Sequence, residues 1–106
     1  MVELTKENWS EVLGQGTVLV DVWGPGCAPC VAMMPQVEQL VVKDVAVVKL
    51  DSSKNRRLCI EHRIMGLPAF LLFRDGKEVS RIGGNEVTFD VMKKWLSEKL
   101  DSGKEG

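Results

Sequence analysis

Seven consecutive residues, Thr17-Val18-Leu19-Val20-Asp21-Val22-Trp23, are β-branched or apolar except for a single carboxylate. An unbroken run of this kind, unlike an alternating one, belongs to a strand covered on both faces. Such a strand sits inside a sheet with helices above and below it, so the flanking chain must supply crossover helices. The 106 residues leave room for one domain and one core. With 44% apolar and 27% charged residues, that core needs no covalent staples.

The rest of the chain supplies the required alternation. Val2 to Leu4 reads as a short strand, and Thr5 as the N-cap of a helix through Leu13. Thr17 to Trp23 is the central strand. Gly24-Pro25-Gly26 forces a turn, after which Val31, Met34, Val37, Leu40 and Val41 keep helical register from Cys27 to about Val42. Val45 to Leu50 is a second buried strand, and a short helix over Asn55 to Arg63 is broken by Gly66 and Pro68. Ala69 to Arg74 and Lys77 to Ile82 flank Asp75-Gly76, a strong hairpin signal. Thr88 caps a last amphipathic helix carrying Val91, Met92, Trp95, Leu96 and Leu100, and 101–106 read as a polar, frayed tail. The expected architecture is α/β, β-α-β-α-β-α-β-β-α, in one domain over 1–106: a mixed central sheet with helices on both faces.

Charge narrows the functional classes. Fourteen Lys and Arg against fifteen Asp and Glu give a net charge of −1 without a basic block, which argues against nucleic acid as a partner. No stretch reaches the ~18 apolar residues of a membrane span, and the first residues have neither a basic n-region nor an apolar h-region. The expectation is a soluble, cytoplasmic monomer that does not engage a membrane. Three cysteines, an odd number, cannot form a closed disulfide framework; Cys27 and Cys30 are close in sequence, whereas Cys59 stands apart. In a reducing compartment a close pair points to chemistry or metal.

Cys27-Ala28-Pro29-Cys30 lies where the central strand gives way to the long helix. Cysteines at i and i+3 in a first helical turn can close a small disulfide. The unpaired N–H groups and positive dipole end at that turn favour a thiolate on the first cysteine, below the ordinary ~8.5. Cys27 is thus the expected nucleophile, and Cys30 the resolving thiol that displaces reduced substrate from a mixed disulfide. Pro29 is tolerated because its missing donor falls among the orphan N–H groups of the first turn, whereas Pro35 lies in the helix interior and should kink it.

Taken together, these residues resemble the thioredoxin family along nearly the whole chain. Val20-Asp21-Val22-Trp23 followed by Gly24-Pro25-Gly26-Cys27-Ala28-Pro29-Cys30 is similar to the family's apolar strand, turn and Trp-Cys-Gly-Pro-Cys motif. Pro35 matches the kinking proline of its second helix, and Val48-Lys49-Leu50-Asp51 resembles its third strand with a buried lysine. Gly66-Leu67-Pro68-Ala69 resembles the segment holding a cis-proline, Phe70 to Gly76 the terminal hairpin, and Gly84 the glycine beside the substrate groove.

The resemblance implies a protein-disulfide reductase that uses a reversible Cys27–Cys30 disulfide and no bound cofactor. A thioredoxin-reductase-like electron donor and disulfide-containing proteins would be its partners. It implies that Asp21 is a buried carboxylate exchanging a proton with Cys30, that Lys49 tunes it by charge, and that Pro68 is cis and packs against the disulfide. The Leu67 backbone would pair with an extended substrate segment, and Trp23 would wall the site. Gly26 stands where the family carries tryptophan, which removes an apolar contact surface; Ala28 replaces a glycine and Ala69 a threonine. With Pro29 and Gly84, Gly26 and Ala28 complete the expected substrate surface.

Other readings remain open at this stage. The same site could run with an oxidising or isomerising poise, or the cysteines could gate docking to one partner without turnover. Cys27-x-x-Cys30 and Cys59-x-x-His62 also supply four zinc-type ligands. Cys59 by itself reads as a small buried hydrophobe and His62 as a rim residue. Met33-Met34 read as core and rim of the helix, Trp9 and Trp95 as core anchors, and Lys54, Arg56 and Arg57 as a solvated face.

Overall fold

The computed structural model describes residues 1–105, with side chains through Asp101. The elements follow the expected order: β1 (Val2–Glu3), α1 (Trp9–Leu13), β2 (Thr17–Trp23), α2 (Ala28–Glu38), β3 (Val45–Asp51), α3 (Arg56–Glu61), β4 (Ala69–Arg74), β5 (Lys77–Gly83) and α4 (Phe89–Glu105). The sheet runs β1-β3-β2-β4-β5. Strands β1 and β2 lie parallel to β3, while β4 is antiparallel to both β2 and β5. The Thr17–Trp23 run therefore occupies the middle of the sheet, and Val18 to Val22 are all buried.

Alternation along β2 divides the interior into two layers. Val18, Val20 and Val22 pack with Leu13 of α1 and with Leu58 and Cys59 of α3. Leu19 points the other way, into a layer with Met33 and Val37 of α2 and Met92, Trp95 and Leu96 of α4. Side chains two apart on a strand share a face, so Asp21 and Trp23 lie on the Leu19 side, the side that α2 covers.

Local chemistry moved several element boundaries from where periodicity put them. Thr5 does not cap α1 directly: its N–H donates to Asn8 Oδ1 at 2.7 Å and its Oγ1 accepts from the Asn8 N–H at 3.2 Å, which closes a turn and delays the helix to Trp9. Helix α2 runs through Pro35 but ends at Glu38, short of Val42. The residues beyond it form a tight return, with Asp44 at φ 62° and Val42 bridged to Val45. Strand β3 is only partly covered at its start, where Ala46 is exposed, because β1 pairs with Val48 and Lys49 alone. Helix α3 stops at Glu61, and Arg63 takes φ 54°. At the hairpin, Asp75 and Gly76 both have positive φ, 50° and 86°, as a two-residue turn between twisted strands requires. The polar tail expected from Asp101 is helical through Glu105; Gly106 lies outside the described residues.

Candidate functional site

The site forms where β2 ends and α2 begins. Gly24 is buried here, and a Cβ on it would meet Ser52 Oγ at 3.0 Å and Leu67 Cδ1 at 3.5 Å, so a larger residue would press on the Ser52 hydroxyl. Ser52 also donates its N–H to Trp23 O at 2.8 Å, and the Cys27 N–H reaches Gly24 O at 3.0 Å to close the turn. Pro25 and Gly26 are exposed, and Gly26 has open space around its Cα.

Cys27 is the N-cap of α2, with Pro29 in the first turn, where the absent N–H is harmless. Its Sγ accepts the Cys30 N–H at 3.3 Å, taking the place of the usual oxygen cap, and the two sulfurs are joined in a disulfide with Cα atoms 5.2 Å apart. The cysteines differ in access: Cys30 is 1% exposed, whereas Cys27 is half-buried beside exposed Ala28 and Pro29. A thiolate from solution can therefore reach only one side of the bond. The orphan N–H groups and the dipole of α2 stabilise negative charge on Cys27 when the bond opens.

On the face that α2 covers, Asp21 is 1% exposed and its Oδ2 has no hydrogen-bond partner among the described residues. Burial pushes its carboxyl from the ordinary 3.8 up to about 7, and the Lys49 ammonium pulls against that rise. The two residues are direct partners in the parallel β2–β3 register. Lys49 Nζ lies 5.9 Å from the centre of the Trp23 ring and 3.7 Å from Glu38 Oε1 on α2. The Trp23 indole N–H is buried without a hydrogen-bond partner among the described residues.

The third side of the site is the entry to β4. Val22 pairs with Ala69, so the antiparallel register carries Pro68 to the level of Trp23. Pro68 is buried, and the Leu67–Pro68 peptide is cis. Gly84, at φ 115°, donates its N–H to Pro68 O at 3.0 Å. A groove of about 470 Å³ runs beside this segment, lined by Met65, Gly66, Ala69, Arg81 and Gly84 among others. A larger cavity, about 530 Å³, opens instead between Thr17, Arg74 and Leu100, at the opposite end of β2, and holds none of these residues.

The structure does not assemble the four-ligand zinc set. His62 closes α3 and stacks on Trp9 with ring centroids 4.5 Å apart. Cys59 is 7% exposed in the layer beneath α1 and α3, its thiol pushed up by burial and by the Asp51 carboxylate. The paired cysteines head α2, on the other face of the sheet. Among the described residues no three His, Cys, Asp or Glu side chains converge on a metal position. Glu38 had no signal in the sequence, because only the fold brings α2 over Lys49.

A reversible disulfide at a strand-to-helix switch, with one sulfur open and one sealed, defines a protein of thiol–disulfide exchange. The comparisons with known proteins agree. The Thioredoxin family model matches residues 1–98. A thioredoxin from Acetoanaerobium sticklandii is 39% identical over 93 residues, covering 83% of this chain and 89% of that protein. One from Peptoclostridium acidaminophilum is 41% identical over 93 residues, covering 83% and 84%. A solved mutant thioredoxin from Halobacterium salinarum superposes with a TM-score of 0.78 at 28% identity, over 92% of this chain and 88% of that one. The chain belongs to the thioredoxin family, and it is a thiol–disulfide oxidoreductase. Among the described residues no helix is long and apolar enough to cross a membrane.

Proposed function

We propose that the chain reduces protein disulfides, with Cys27 as attacking thiol and Cys30 as resolving thiol. The observation that carries this reading is the unequal access of the two sulfurs, Cys27 open at the head of α2 and Cys30 sealed beneath it. The reduced Cys27 thiolate attacks one sulfur of a substrate disulfide; a Cys27–substrate bond forms, and the second substrate sulfur leaves as a thiolate that takes up a proton. Asp21, ionised, then accepts the Cys30 proton across the buried interior, and Lys49 sets how readily it does so. The Cys30 thiolate attacks Cys27 Sγ, which closes the intramolecular disulfide and releases the first substrate sulfur with its electron pair. Two electrons have passed to the substrate. An external dithiol donor of the thioredoxin-reductase kind returns them, so turnover requires no bound cofactor.

Substrate recognition follows from the rim. The Leu67 backbone accepts an extended substrate segment by strand addition, Trp23 and Pro68 wall the disulfide, and Gly26, Ala28, Pro29 and Gly84 leave room for the incoming chain. On this reading residues 1–106 act as one domain, a monomer in the cytoplasm. The test is insulin-disulfide reduction with dithiothreitol as donor. Cys27→Ser should abolish it, and Cys30→Ser should accumulate a mixed disulfide through Cys27; full activity of Cys27→Ser would overturn the reading. A midpoint potential below about −220 mV marks the reducing direction, whereas one near about −120 mV would make the same site an oxidant.

A further inference from the structure

Lys49 is held from two sides. Its Nζ is 3.7 Å from Glu38 Oε1, on the half-exposed outer part of α2, and 5.9 Å from the Trp23 ring centre, while its Cα is paired with Asp21. The ammonium thus has two carboxylates to choose between, one at the surface and one buried, with an oxygen that has no hydrogen-bond partner among the described residues. From these contacts we infer that Glu38 is a positioning residue: by holding the Lys49 ammonium over Trp23, it sets how much of that charge reaches the Asp21 carboxyl.

The remaining surroundings of Asp21 leave this pair in control. On β4 its partner is Phe70, and α4 presents apolar Met92, Trp95 and Leu96 to the same face. From α2 come Glu38 and, at the helix head, the two cysteines; from β3 comes Lys49, with Asp51 two residues further along and engaged by the Ser53 N–H and hydroxyl at 2.9 and 2.6 Å. As an ion pair Glu38–Lys49 is too exposed to add much stability, with side chains 49% and 19% accessible. Its effect is on where a charge sits. Removing Glu38 frees the ammonium to move toward Asp21, which favours the ionised carboxylate.

The inference rests on the Asp21–Lys49 assignment above, and the experiment separates the two. In the oxidised protein, where neither active-site cysteine titrates, the Asp21 carboxyl-carbon NMR signal is followed with pH. Glu38→Gln should lower its midpoint by about half a pH unit, the reach of a partly exposed pair. In a Lys49→Met background the same substitution should leave the midpoint nearly in place. An unmoved midpoint in the single variant overturns the inference, and so does an equal shift in both backgrounds, which would mean a direct field from Glu38. The Asp21 role is judged apart from this by the pH–rate profile for resolution of a Cys27 mixed disulfide: if Asp21→Asn leaves that profile unchanged, the proton-transfer reading falls while the NMR result stands.

Discussion

Asp21 shows how burying a single ionisable side chain weighs on the fold. Its folded pKa of about 7 lies above the ordinary 3.8, so the folded protein binds a proton there more tightly than the unfolded chain does. The stability tied to that proton is complete below pH 3.8 and is lost as pH rises through about 7. At full ionisation the loss is on the order of 4 kcal/mol. Oxidised Asp21→Asn should therefore resist urea better than the parent at pH 8, by up to that amount, and the gain should shrink toward pH 4. A gain that grows with acidity would contradict this assignment of sign. The carboxylate was legible in the sequence, because an acid inside an apolar run is costly without a task. Glu38 was not, since it is one of several polar residues on a helix whose facing strand is set only by tertiary packing.

At the scale of elements, α4 docks by its apolar stripe and is fixed in rotation by a polar contact. Helix α4 buries Met92, Trp95 and Leu96, and the Trp95 indole N–H donates to Ser80 Oγ on β5 at 3.2 Å. Ser80→Ala leaves that N–H without its partner and should cost about 1 kcal/mol; Trp95→Phe should cost somewhat more, through lost area. In a double-mutant cycle followed by denaturant unfolding, the pair should couple by about 1 kcal/mol, and strict additivity would show that the bond contributes nothing. Strands and hairpin were readable because β2, β4 and the Asp75-Gly76 turn carry strong period and turn chemistry. Helix ends were less so. Thr5 and Asn8 satisfy each other's backbone before α1 starts, and the Val42–Val45 bridge takes residues whose apolar spacing alone suited a longer α2.

For the molecule as a whole, the sheet order places β2 between β3 and β4, with two-residue β1 and solvent-facing β5 at the edges. The amides of Val18 to Val22 should exchange only through global unfolding, while those of β1 open locally. Native-state hydrogen exchange should show them at least about tenfold apart in rate, and equal rates would mean that the edges are as cooperative as the centre. Both apolar layers lie against the body of the sheet, whereas the disulfide sits at its rim, on a turn whose Gly26 faces open space with unstrained backbone. In evolutionary terms this makes position 26 a nearly free variable. Side chains can come and go there without entering either layer, so on the proposed reading a lineage can change which proteins dock at the rim while the two sulfurs keep their places.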